Sequence, residues 1–168
     1  LNYFSVKTIR EIDHKGKYTI TIGGLSEGVH SYSFVMGDDF FACYQNPEIF
    51  GGNVQAQATL VKNFQNIVIE IQFSGAIKIQ CDFCLDAFDY LINHTEQLLF
   101  SNGRPNAGEK EEDVIVLSEG ENQIDLSQDL YELVALRIPM KKMHPTDEKG
   151  NATCDPQMLE LLKKYIVE

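Results

Sequence analysis

Apolar residues fall at every second position over two long stretches, Asn53 to Val61 and Ile67 to Ile79. A period of two marks a strand with one buried face, because successive side chains point to opposite sides of a sheet. The link Asn63-Phe64-Gln65-Asn66 suits a hairpin between them. Two shorter β-rich runs precede this pair. Tyr18 to Ile22 stops at Gly23-Gly24, and His30 to Met36 stops at Gly37-Asp38-Asp39. The aromatic segment Asp39 to Tyr44 predicts a turn or a short helix. Leu85 to Phe100 fits either period, and its aromatic and β-branched residues favour a strand. Ser101 to Glu112 is polar with Asn-Gly, Pro and Gly, which predicts a loop, and Asp113 to Leu117 predicts a further strand.

The pattern then changes period. Leu126, Leu130, Leu133 and Val134 share one helical face, with Asp125 and Gln128 in a capping-box arrangement and Pro139 as the stop. Asp155-Pro156 opens a second helix, whose buried face is expected to hold Met158, Leu159, Leu162, Tyr165 and Ile166. Strands that follow one another without intervening helices predict an antiparallel arrangement. The expected fold class is α+β: an antiparallel β-rich sheet or open barrel with two C-terminal helices. The 168 residues are expected to form one domain, with a β-rich body over about 1–120 and a helical part over about 121–168.

Composition narrows the setting. No stretch reaches the roughly 20 apolar residues of a membrane span, and four cysteines are too few for a disulfide framework. A cytoplasmic protein without a membrane role is expected. The net charge of −11 repels nucleic acid as a whole, but it is unevenly spread. Arg137 to Glu168 carries six basic and five acidic residues, so that segment nets +1 and the residues before it −12. Within it, Lys141, Lys142 and Lys149 lie on the connector between the two helices and are the candidate RNA-binding cations.

The chemistry concentrates in Cys81-Asp82-Phe83-Cys84. Two thiols at this spacing can take one side of a tetrahedral metal site or form a redox pair. His144 and Cys154 would complete a Cys3His set, a usual closed zinc site. Three readings stand at this point. Cys81, Cys84, His144 and Cys154 bind zinc; Cys81 and Cys84 act as a thiol oxidoreductase; or they are reduced structural thiols. The sequence contains no phosphate-binding loop, no G-x-G-x-x-G, no G-x-S-x-G and no H-E-x-x-H, so no small-molecule substrate is expected.

Cys81-Asp82-Phe83-Cys84-Leu85-Asp86-Ala87-Phe88 resembles the C-x-x-C-L-x-x-F hallmark of the YceD family. About fifty residues on, Leu130 to Pro139 is similar to the family's second block, a helix reading E-x-x-L-L-x-L-P. The resemblance runs from about Gly52 to the end of the chain. It implies a bacterial protein, with chloroplast relatives, needed for normal accumulation of large-subunit (23S) ribosomal RNA. The implied role is non-enzymatic ribosome assembly, with ribosomal RNA or ribosomal proteins of the large subunit as partners. The family's usual ending, roughly C-x3-C-x-G-x-C-x-x-C-G, is altered in this chain. His144 stands at the first cysteine position, Glu148 and Ala152 at the middle two, and Cys154 one residue short of the last. The rival functions are a cytosolic thiol oxidoreductase using Cys81 and Cys84, and a protein-only binding module.

Overall fold

The computed structural model describes residues 16–101, 114–118, 120–146, 153–154 and 156–166. Among these residues the elements follow in the order β1 (Thr19–Thr21), β2 (Gly28–Met36), α1 (Asp38–Ala42), β3 (Gly51–Lys62), β4 (Asn66–Gln80), β5 (Ala87–Ser101), β6 (Val114–Val116), β7 (Gln123–Asp125), α2 (Ser127–Ala135) and α3 (Pro156–Ile166). The main sheet has the order β2-β3-β4-β5-β6, and β1 pairs with β7 in a second, two-stranded sheet. Among the described residues, β2 and β6 end the main sheet on opposite sides, so it is open and not a closed barrel.

The alternation that predicts the strands also sorts their faces. Val54, Ala56, Ala58 and Leu60 of β3 stand opposite Gly75, Phe73, Ile71 and Ile69 of β4. All of these except Gly75 are buried, as are Phe34 and Met36 of β2. The opposite face carries Ser33, Gln57, Gln72 and Thr95 in one cross-strand row and Val35, Gln55, Ser74 and Asn93 in the next. The buried face is covered by the small sheet and the first two helices, through Ile20, Phe40, Phe41, Ile124, Leu126, Leu130 and Val134. Each fully buried aliphatic or phenyl side chain contributes about 1.5–3 kcal/mol relative to exposure. Gly75 sits where the β3 backbone comes close. Its φ is +151°, and a Cβ there would stand 2.8 Å from the Val54 Cα.

The hairpin over Asn63 to Asn66 forms as expected. Asn63 donates its N–H to the Asn66 carbonyl at 3.0 Å, and its side-chain oxygen accepts from the Gln65 and Asn66 amides. The aromatic segment after β2 is a short helix, and the ambiguous stretch after Cys84 is a strand that pairs with β4 over its whole length. Both helices expected toward the C-terminus are present as elements. Of the apolar face expected for α3, Met158 packs on the cysteines, and the side chains of Leu159, Leu162, Tyr165 and Ile166 lie outside the described residues.

Three expectations need correction. The main sheet is mixed and not wholly antiparallel, because β6 runs parallel to β5, with Phe100 opposite Ile115. The residues just before α2 form a strand of their own, β7, paired with β1 from Thr19↔Asp125 to Thr21↔Gln123. The capping box is absent. Leu126 holds the N-cap position without a side-chain cap, Asp125 accepts the Ser127 amide at 2.9 Å, and Gln128 bonds Glu132. Engaging Asp125 in the β1–β7 ladder shifts the helix start by one residue.

Candidate metal centre

The centre begins where β4 turns into β5. Residues 81–86 form the turn, and the ladder resumes with Gln80 opposite Ala87. The Cys81 amide donates to the Asp86 carbonyl at 2.9 Å, and the Leu85 amide donates back to the Cys81 carbonyl at 3.0 Å. Closing the chain this tightly sends Leu85 to a φ of +62°, the left-handed region that costs a non-glycine residue about 1–2 kcal/mol. The amide of Phe83 points at the Cys81 sulfur, 3.4 Å away.

The connector after α2 is pinned to this turn. The Asp82 amide donates to the Lys142 carbonyl at 2.8 Å, and the Lys142 amide donates to Asp82 Oδ2 at 2.7 Å. The Lys142 ammonium reaches Glu48 Oε1 at 2.9 Å and Asp82 Oδ1 at 3.6 Å. Two residues further on, His144 stacks on Phe88 with ring centroids 4.7 Å apart. The Thr153 hydroxyl then donates to the Pro145 carbonyl at 2.6 Å, which brings Cys154 beside His144. Met158, in the first turn of α3, and Phe83 and Phe88 pack around the three sulfurs.

These contacts gather all four residues expected to act together. Ligand atoms of Cys81, Cys84, His144 and Cys154 lie within 4.8 Å of one another. The Cys81 and Cys154 sulfurs are 3.8 Å apart. Metal–sulfur bonds of about 2.3 Å in a tetrahedron give sulfur–sulfur edges of about 3.8 Å. All three thiols are buried, and the buried Nε2 of His144 has no hydrogen-bond partner. A buried ring nitrogen without a partner carries a desolvation cost that a metal ion would remove. The donor set, the edge length and this nitrogen fit zinc.

The charges of the thiols tell the same story. Burial pushes the Cys81 thiol up, but amides at Cys84, Phe83 and His144 and the Cys84 thiol outweigh it and lower it to about 7. Burial pushes Cys154 up to about 11, with the neighbouring Cys81 and Cys84 adding to the rise. Crowded thiolates repel one another, so full ionisation of the set needs a cation among them.

The redox reading requires a helix after the second cysteine. Cys84 leads instead into β5. The three candidate lysines are not placed alike. Lys141 is exposed, with its ammonium 5.0 Å from the Phe83 ring centroid. Lys142 is drawn inward by two carboxylates, and Lys149 lies outside the described residues. Sequence reasoning missed the clamp of Glu48, Asp82 and Lys142. Asp82 stands inside the cysteine motif and offered a signal, whereas Glu48 lies far upstream with none.

A family model, "Large ribosomal RNA subunit accumulation protein YceD", matches residues 69–164. Neither a search of curated proteins nor one of solved structures returns a match. The family match covers more than half of the chain, from β4 to α3, and takes in all four members of the cysteine–histidine cluster. The chain belongs to the YceD family.

Proposed function

We propose that this protein is a non-enzymatic, cytoplasmic factor in large-subunit assembly that supports accumulation of 23S ribosomal RNA. Family membership carries this reading. Zinc held by Cys81, Cys84, His144 and Cys154 has a structural part in it. Four protein ligands close the coordination sphere, leaving no open position for a reacting water. The metal ties the connector and the start of α3 to the β4–β5 turn, and so fixes the surface that carries Lys141. Lys141 and Lys149 are the proposed phosphate contacts, and Lys142 supports the metal site. A chain of net charge −11 contacts RNA through few cations, so basic ribosomal proteins are the proposed bridge.

The test is the ratio of 23S to 16S ribosomal RNA in cells depleted of the protein, read with the sedimentation profile of ribosomal precursors. A fall in 23S and in mature large subunits is expected; an unchanged ratio would refute the proposal. The thiol oxidoreductase reading draws on the lowered Cys81 pKa. Amide donors that stabilise a thiolate serve a metal ligand equally well. Insulin reduction abolished by Cys81→Ser would replace the assembly role with an enzymatic one.

A further inference from the structure

The two long edges of the main sheet are built differently. Along β5, Asp89 and Glu96 stand beyond the reach of β6, and Glu96 is ion-paired to Arg137 from the end of α2. β2, at the other edge, runs nine residues from Gly28 to Met36 and contains no Asp, Glu, Lys, Arg or Pro. Its pairing with β3 is continuous from Gly28↔Lys62 to Met36↔Val54, without a bulge. Among the described residues, no strand pairs with its free side. Natural proteins blunt such edges with charge, proline, a bulge, short length or a covering segment; β2 itself has none of the first four, and among the described residues no strand covers its free side.

The phase of this edge can be read from one hydrogen bond. The Tyr18 hydroxyl donates to the Val35 carbonyl at 2.9 Å, which places that carbonyl on the side away from β3. Backbone groups alternate sides along a strand. Val29, Ser31, Ser33 and Val35 therefore turn their N–H and C=O groups to the free edge, while Tyr32 and Phe34 turn theirs to β3.

We propose that β2 pairs antiparallel with β2 of a second copy of this chain, centred on Tyr32, joining the two sheets into one. In this register Ser31 and Ser33 of the second copy exchange both of their backbone hydrogen bonds, and the reciprocal pair does the same. Val29 comes opposite Val35 of the second copy. Those valines are 68% and 47% exposed in the single chain and lie on the same face, so each covers the other. No charged side chain meets another along the ladder. Within β2 no carboxylate opposes another, and the acidic residues nearest the ladder, Glu27 of one copy and Asp38 of the other, meet just beyond each of its ends. The second lone pair of the Val35 carbonyl leaves the Tyr18 bond intact.

Sedimentation equilibrium on the full chain tests this. The mass is expected to rise with concentration from 19.0 kDa toward twice that value. S31K/S33K places lysines opposite one another across the ladder and should hold the protein at the single-chain mass with an unchanged circular-dichroism melt. S33P removes only an N–H that faces the free edge and should do the same. Amide exchange supplies an independent reading. Ser31 and Ser33 amides should slow with rising protein concentration, while those of Tyr32 and Phe34 stay unchanged. A constant 19.0 kDa mass at all concentrations would overturn the proposal. So would a dimer that survives S31K/S33K, or Ser31 and Ser33 amides already protected in dilute solution, which would mean that the chain covers its own edge.

Discussion

The middle of the main sheet and the cysteine-lined pole at the end of β4 belong to the same strands and are held by different physics. In the middle, Val54 to Leu60, Ile67 to Phe73 and Phe34 bury one continuous apolar face under Phe40, Leu126, Leu130 and Val134. At the pole, the described apolar residues packed around the three thiols are Phe83, Phe88 and Met158. Long-range polar contacts supply the rest, namely Asp82 with Lys142, Lys142 with Glu48, and Thr153 with Pro145. Apolar area can hold the first region without help. The second brings groups together that repel one another when ionised, and it accepts a strained Leu85 to do so. A cation held among Cys81, Cys84, His144 and Cys154 could offset both costs.

The largest effect should come from damaging the sheet. Phe73 is fully buried and faces Ala56 on β3. Phe73→Ala is expected to cost about 3–5 kcal/mol in urea unfolding, and the pole should be lost in the same transition. Cys84→Ser sharpens the contrast from the other side. It should lower zinc affinity by more than about 100-fold, beyond what outer-sphere substitutions cost. Amide exchange should then quicken at Asp82, Leu85 and Lys142 while β3 and β4 keep their protection. A cooperative loss of the whole sheet in Cys84→Ser would show that the two regions are one unit.

Much of this contrast was legible in the sequence, and the reasons for the rest are physical. Alternation from Asn53 to Ile79 marks the sheet because every second side chain must enter the core. Nothing in a period of two says which way a strand runs, so the parallel pairing of β6 with β5 was out of reach. β7 is three residues long and exists because β1 is there to pair with it. The grouping of Cys81, Cys84, His144 and Cys154 was legible by residue type, since few side chains can ligate a metal. The contact of Lys142 with Glu48 was not legible, because a charge count does not show which carboxylate, here 94 positions away, will engage it.

Two smaller changes probe each region without breaking it. Leu85 is 58% exposed and holds its positive φ only because the turn closes around the cysteines. Leu85→Gly should raise thermal stability by about 0.5–1 kcal/mol, the relief of the left-handed backbone less the entropy of glycine in the unfolded chain. On the sheet, His94 stacks on Phe73, and burial, with Arg137 nearby, lowers its pKa. The folded state thus favours neutral His94. Its contribution is complete above the unfolded value of about 6.5 and is lost as pH falls through the depressed folded value. His94→Phe should narrow the difference in melting temperature between pH 7.5 and pH 5; an unchanged difference would remove His94 from the pH response.

The metal content of the full chain, purified without chelators and measured by plasma mass spectrometry, decides whether Cys81, Cys84, His144 and Cys154 hold zinc. About one zinc per chain is expected, released when thiol-specific reagents modify the cysteines, and close to none in Cys154→Ser. Wild-type protein that carries no zinc, and takes up none when zinc is supplied at neutral pH, would contradict this expectation.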